Sequence, residues 1–112
     1  MKRRKFMTCL LLVIIICASG SISAAADTNT FLGKYAGDNI NSEGKFNTFI
    51  GFGAGWNADD AKHNTFVGMY AGKDNTSGYE NTFLGEGAGE SDDRGYQNVY
   101  IGENAGGGGG DK

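Results

Sequence analysis

Few side chains in this chain could do chemistry. It holds one histidine, His63, two cysteines, Cys9 and Cys17, and two adjacent acidic pairs, Asp59 with Asp60 and Asp92 with Asp93. Nucleophilic catalysis needs an activated hydroxyl or thiol with a base beside it, and no serine here stands in a nucleophile-elbow context. A metal centre needs several Cys, His or carboxylate ligands at set spacing, and a single His63 does not supply them. Paired acids suit calcium, which takes oxygen ligands, but the alternating acids of a calcium loop are missing, so both pairs are expected in solvated loops. The Gly-x-Gly pieces at Gly51–Gly53 and Gly85–Gly87 belong to a repeat and do not open a helix, so they are no nucleotide fingerprint. No catalytic residue, metal or cofactor is expected, and the chain is read as a non-enzyme.

The first stretch precedes any fold. Lys2, Arg3, Arg4 and Lys5 form a basic start, Phe6 to Ala18 is almost wholly apolar, and Ser23, Ala24, Ala25 and Ala26 are small. That order is the order of a secretory signal peptide over residues 1–26, with cleavage expected after Ala25 or Ala26. The apolar run is too short for a spanning helix, which needs about 20 residues, so no stable membrane insertion is expected once it is removed. Both cysteines leave with it, so the mature chain has no internal disulfide. Six basic residues then face all 13 acids, a net charge of -7. Phosphate binding needs clustered Lys and Arg, so nucleic acid is excluded as a partner. The expected localisation is secreted or cell-surface, with the periplasm as an alternative.

From Asn29 onward one phrase is written five times: NTFLGKYAG, NTFIGFGAG, NTFVGMYAG, NTFLGEGAG and NVYIGENAG. Its first residues are Asn29, Asn47, Asn64, Asn81 and Asn98, spaced 18, 17, 17 and 17 apart. A regular period of this size marks a stacked architecture, in which each unit is too small to bury its own apolar face and the next unit covers it. Aromatic and β-branched residues in the phrase predict a short strand ended by glycine. The Ala-Gly pair after it predicts a tight corner. Gly44, Gly78 and Gly95 suggest a further turn, with Ala61 in the matching place of the second unit. The chain is therefore expected to be all-β, a parallel β-solenoid of about five 17-residue coils over residues 27–106, with a flexible glycine-rich tail at 107–112. Twenty glycines and no proline, without a three-residue period, exclude collagen and disfavour long helices.

Stacking the units in register produces columns. Phe31, Phe49, Phe66, Phe83 and Tyr100 form an aromatic column, and Leu32, Ile50, Val67, Leu84 and Ile101 an aliphatic one. Neighbouring strand residues point to opposite faces, so one column is inside and the other outside. The expectation is that Thr or the alanines fill a narrow interior and the aromatic column forms an interaction face. The Asn column, on the same strand face as the aromatic one, is expected to act as a hydrogen-bonded ladder that fixes register, and Thr30, Thr48, Thr65 and Thr82 likewise. Trp56, Tyr79 and Tyr96 fall in the polar stretches between repeats, where they are candidates for contacts with carbohydrate.

The phrase NTFLGxxAG resembles glycine-rich repeats of bacterial surface proteins and of phage tail-fibre-like proteins, and is similar to the head repeats of trimeric autotransporter adhesins, the YadA-like heads. The resemblance covers about residues 29–106. It implies a β-roll with one coil per repeat, three chains about a common axis as a homotrimer, and adhesion to a host or matrix surface. The units here are longer than that family's, and Phe stands where its strand has Ala. Carbohydrate or ice binding through exposed rows, and a tail-fibre-like shaft segment, are the alternative expectations.

Overall fold

The computed structural model describes Ile22–Ser23 and residues 28–107. The expected signal peptide, apart from Ile22–Ser23, and the tail beyond Gly107 lie outside the described residues. Six short strands form one sheet in chain order: β1 (Ile22–Ser23), β2 (Thr30–Leu32), β3 (Thr48–Ile50), β4 (Thr65–Val67), β5 (Thr82–Leu84) and β6 (Val99–Ile101). From β2 to β6 every pairing is parallel and in register, Thr30 beside Thr48, Phe31 beside Phe49, Leu32 beside Ile50, and so on upward. β1 lies antiparallel on the outer edge of β2, with Ile22 opposite Leu32. The described residues contain no helix. This is an all-β parallel β-solenoid, with one repeat per turn and four complete turns between its five parallel strands.

Each coil is tied to the next on more than its strand side. The corner and return segments continue the ladder, as in Gly37 N–H to Ala54 C=O at 3.0 Å and Asn39 N–H to Trp56 C=O at 3.0 Å. A third line of contact runs through Lys62, Tyr79 and Tyr96, which pair as single parallel bridges. Backbone polar groups are thus satisfied between coils, which lets a chain with so little core stay ordered.

The interior corrects one expectation. Phe31, Phe49, Phe66 and Phe83 are buried and Tyr100 is half-buried, so the aromatic column fills the coil and is not an outer interaction face. The rings stack at centroid separations of 4.7 to 5.2 Å and nearly parallel planes. Each buried ring contributes about 1.5–3 kcal/mol, the scale for moving a large apolar side chain out of water. The opposite wall makes this possible. Ala36, Ala54, Ala71 and Ala88 are buried against the rings, and the glycine after each Ala lets backbone touch aromatic carbon. At Gly55, with φ +58°, a Cβ would sit 2.5 Å from two Phe49 ring carbons. The Ala-Gly pair therefore acts as a filler followed by a gap. A space that looked too narrow for Phe is wide enough because the facing residue has no side chain.

The other corner uses no glycine. Phe46, His63, Glu80 and Gln97, each just before a repeat Asn, have φ between 56° and 61°. That conformation costs an L residue roughly 1–2 kcal/mol. The repeat Asn of the preceding coil spans the corner, as Asn47 does around His63 by donating to Ala61 C=O and accepting from Asn64 N–H, and this offsets the strain.

The remaining glycines answer the question posed by Ala61. Gly44, Gly78 and Gly95 are absent from the set of positive-φ residues, so conformation does not demand them. Space does. A Cβ on Gly78 would collide with the Asn75 carboxamide, on Gly95 with the Asp92 carboxylate, and on Gly44 with Ile40. In the second coil the residue facing Ala61 is Ala58, and both are fully buried. A small residue at one position licenses a methyl at the other.

Candidate interaction surfaces

The Asn column lies inside with the rings. Asn64 shows its full pattern: its Nδ2 donates to Gly78 C=O at 2.9 Å, and its Oδ1 accepts from the backbone N–H of Asn81 at 2.9 Å. Asn47 and Asn81 repeat the carbonyl bond, to Ala61 and Gly95 at 2.7 Å. Asn29 donates to Gly44 C=O, and Asn98 receives from nothing above it among the described residues while donating to Asp92 Oδ2 at 3.2 Å. With Asn47, Asn64 and Asn81 buried, this row is internal scaffolding and offers nothing to a ligand.

The outer face of the sheet is where side chains meet water. Thr30, Thr65 and Thr82 are exposed and Thr48 is half-buried, and Val99 continues the row at 67% exposure. Beside them run Leu32 and Leu84 at 47%, Ile101 at 67%, and the half-buried Ile50 and Val67. No Thr hydroxyl of this row has a hydrogen-bond partner among the described residues, whereas Thr28 and Thr76 do. The Thr column is therefore no register ladder. Sequence reasoning assigned it that role because it treated Thr like Asn, whereas strand alternation turns the two to opposite faces. The result is an uncharged double row, Thr beside Leu, Ile or Val, repeating at the strand spacing of about 4.8 Å.

Aromatic residues outside the core form separate stacks. Trp56 lies between Tyr35, at 4.8 Å, and Tyr70, at 6.4 Å, both rings within 8° of parallel to it. Phe52 meets Tyr35 and Tyr70 edge-on. Gly53 makes the room, since a Cβ there would come within 2.7 Å of the Tyr70 ring. Tyr79 stacks on Tyr96 at 5.2 Å, with both exposed. Repeat stacking thus covers ring faces with ring faces. Sugar platforms need an open face, and Trp56 has neither of its own free.

The titratable residues do not converge. His63 stacks on Phe46 at 4.8 Å. Asp60 accepts from Asn41 at 2.5 Å, and Asp93 pairs with Arg94 at 3.2 Å and accepts from Thr76. Among the described residues no three His, Cys, Asp or Glu side chains gather as a metal site would require. Lys73 bridges Glu90 at 3.3 Å and Asp74 at 3.6 Å, and its hydrogen bond to Glu90 chiefly raises its pKa. Burial, then the Asp92 carboxylate, pushes the Tyr100 phenol up. A second polar ladder, Asn39 to Asn57 to Asp74, runs along the return side at 2.9 and 2.7 Å.

Comparison of the chain with protein-family models, with curated proteins and with solved structures finds no match.

Proposed function

We propose that this chain is an exported structural and interaction protein, placed outside the cell or on its surface, whose outer sheet face mediates adhesion or self-association. The observation that carries the reading is the uncharged Thr/aliphatic double row, with Leu32 and Leu84 at 47% exposure and Ile101 at 67%. Soluble monomers keep contiguous apolar patches small, and one that spans every coil suits a subunit or matrix contact. The assembly expected from the resemblance to adhesin heads is a homotrimer, now joined through the aliphatic column.

Sedimentation at micromolar concentration of the purified full chain, in which β1 covers the β2 edge, tests it. A trimer that Val67→Lys converts to a monomer with an unchanged far-ultraviolet spectrum is the expected result. A monomeric parent protein refutes the self-association reading.

One observation favours a second reading. Regularly spaced Thr hydroxyls without protein partners are suited to an ordered water or ice lattice, and the two covered faces of Trp56 weigh against carbohydrate at that residue. Thermal hysteresis lost on Thr65→Lys is the outcome that reading requires.

A further inference from the structure

The two ends of the solenoid match each other. Inside the stack, Thr82 N–H donates to Asn98 C=O at 2.8 Å and Gly89 N–H to Ala105 C=O at 2.8 Å. In the other direction Gly102 N–H donates to Leu84 C=O at 2.8 Å and Asn104 N–H to Glu86 C=O at 2.7 Å. One coil higher, the same roles fall to Val99 N–H, Gly106 N–H, Ile101 C=O and Glu103 C=O. β6 is the edge strand, paired with β5 alone, and among the described residues these four groups, which face away from β5, have no hydrogen-bond partner. A Cβ on Gly102 would meet nothing within 4 Å, whereas on Gly33, Gly51, Gly68 and Gly85 it would meet the coil above. The partners these groups call for are those of the first coil: Asn29 C=O and Ala36 C=O as acceptors, Gly33 N–H and Tyr35 N–H as donors.

Charge agrees independently. The residue after each strand glycine is Lys34, Phe52, Met69, Glu86 and Glu103 in turn up the stack. This column begins basic and ends with two neighbouring acids. Placing the first coil of another copy on the last coil sets a lysine beside Glu103.

We infer that a second copy of this chain docks end to end, its β2 adding to β6 as the next parallel strand in the register used throughout the stack. Val99 then lies beside Thr30, Tyr100 beside Phe31, and Ile101 beside Leu32 of the next copy. Such a contact is heterologous and does not close, so it builds a filament. β1 occupies the β2 edge, and Ile22–Ser23 falls within the segment read as the signal peptide. Its removal uncovers the edge, so export licenses assembly. The contact needs β1 off the β2 edge; that cleavage during export is what removes it rests on the export reading.

The test uses the full chain with Cys9→Ser and Cys17→Ser and a protease site between Ala26 and Asp27, cut after folding. Two proteins are made, Leu32→Cys and Ile101→Cys. Paired residues of adjacent parallel strands lie about 4.8 Å apart, within reach of a disulfide. Under oxidation, a mixture of the two cut proteins gives covalent dimers, neither protein alone does, and the uncut mixture does not. Adding Val99→Pro, which removes only an edge N–H, or Glu103→Lys, lowers the yield at least several-fold with an unchanged far-ultraviolet spectrum. Lys34→Glu on the Leu32→Cys partner restores it for Glu103→Lys. No mixed dimer after cutting overturns the contact. Leu32→Cys dimers formed without mixed ones also overturn it, and support the sheet-face interface instead. Equal yield before and after cutting overturns the role of β1, and the N-terminal residue of the exported protein tests export separately.

Discussion

Gly78 and Asn75 supply a sharp test of how this solenoid is packed. In Gly78→Ala the new methyl carbon meets the Asn75 carboxamide carbon at 2.6 Å and its nitrogen and oxygen more closely still. Overpacking of this kind costs about 1–3 kcal/mol. Gly78 has no positive φ, so Ala also gains about 0.4–1 kcal/mol from a less flexible unfolded chain. The net expectation for the single substitution is a loss of about 1–2 kcal/mol. Asn75→Ala removes a 2.5 Å hydrogen bond to Asp92 C=O, but it also removes the fully buried Oδ1, which has no partner. The first is worth about 1 kcal/mol and the second costs about 1–3 kcal/mol to keep, so this variant is expected near parent stability. The double variant recreates Ala58 and Ala61 of the preceding coil and places the methyl introduced at position 78 in the space left by the carboxamide. It is expected close to parent stability, a coupling of about 1–2 kcal/mol. Urea unfolding followed by far-ultraviolet circular dichroism, with all four proteins compared at one slope, measures that coupling. Additivity within about 0.5 kcal/mol would mean the two positions do not share one space, and the reasoning fails.

Other outcomes follow from the same geometry. Asn64→Ala strands Asn81 N–H inside the coil and takes one of two donors from Gly78 C=O, which keeps Lys62 N–H, a loss of about 2–4 kcal/mol at about 1–3 kcal/mol for the stranded group and about 1 kcal/mol for the lost bond; Asn98→Ala, at the half-buried end, should cost about 1 kcal/mol, and equal urea midpoints for the two would refute the internal-ladder account. Lys73 and Tyr100 both have pKa values raised from ordinary values of 10.5 and 10.0. A raised folded pKa contributes stability that is present below the unfolded value and lost as pH rises through the folded one. These two groups therefore contribute at neutral pH and lose their contribution above about pH 10; Tyr100→Phe should flatten part of that alkaline decline in a series of thermal melts, and an unchanged decline would refute the assignment.

Much of the fold was legible because the period and the strand phrase constrain it together. Five NTF[LIV]G-type copies at near-constant spacing require stacked parallel strands, whatever surrounds them. The candidate surface was not legible to the same degree. Alternation showed that Phe66 and Val67 must face opposite ways, yet it carries no sign, and the sign depends on what the far side of the coil provides. Gly72, by lacking a Cβ, lets the Phe66 ring in, and that contact joins residues on opposite walls. Thr65 is a different case, since alternation alone turns it away from Asn64 and separates it from the Asn ladder. The Ala58–Ala61 exchange could have been found in the sequence, since the one coil without glycine at that corner is also the one with alanine three residues earlier.

The sequence by itself determined the repeat unit, the parallel register and the Asn ladder's place on the aromatic side, since each follows from local preference and from translation by one period. Only the tertiary structure decided which column is core and which is surface, and which backbone groups of the last coil have no partner among the described residues. Both depend on contacts across the coil or between coils, where a missing methyl group or an unpaired N–H has its effect on a residue far away in the chain.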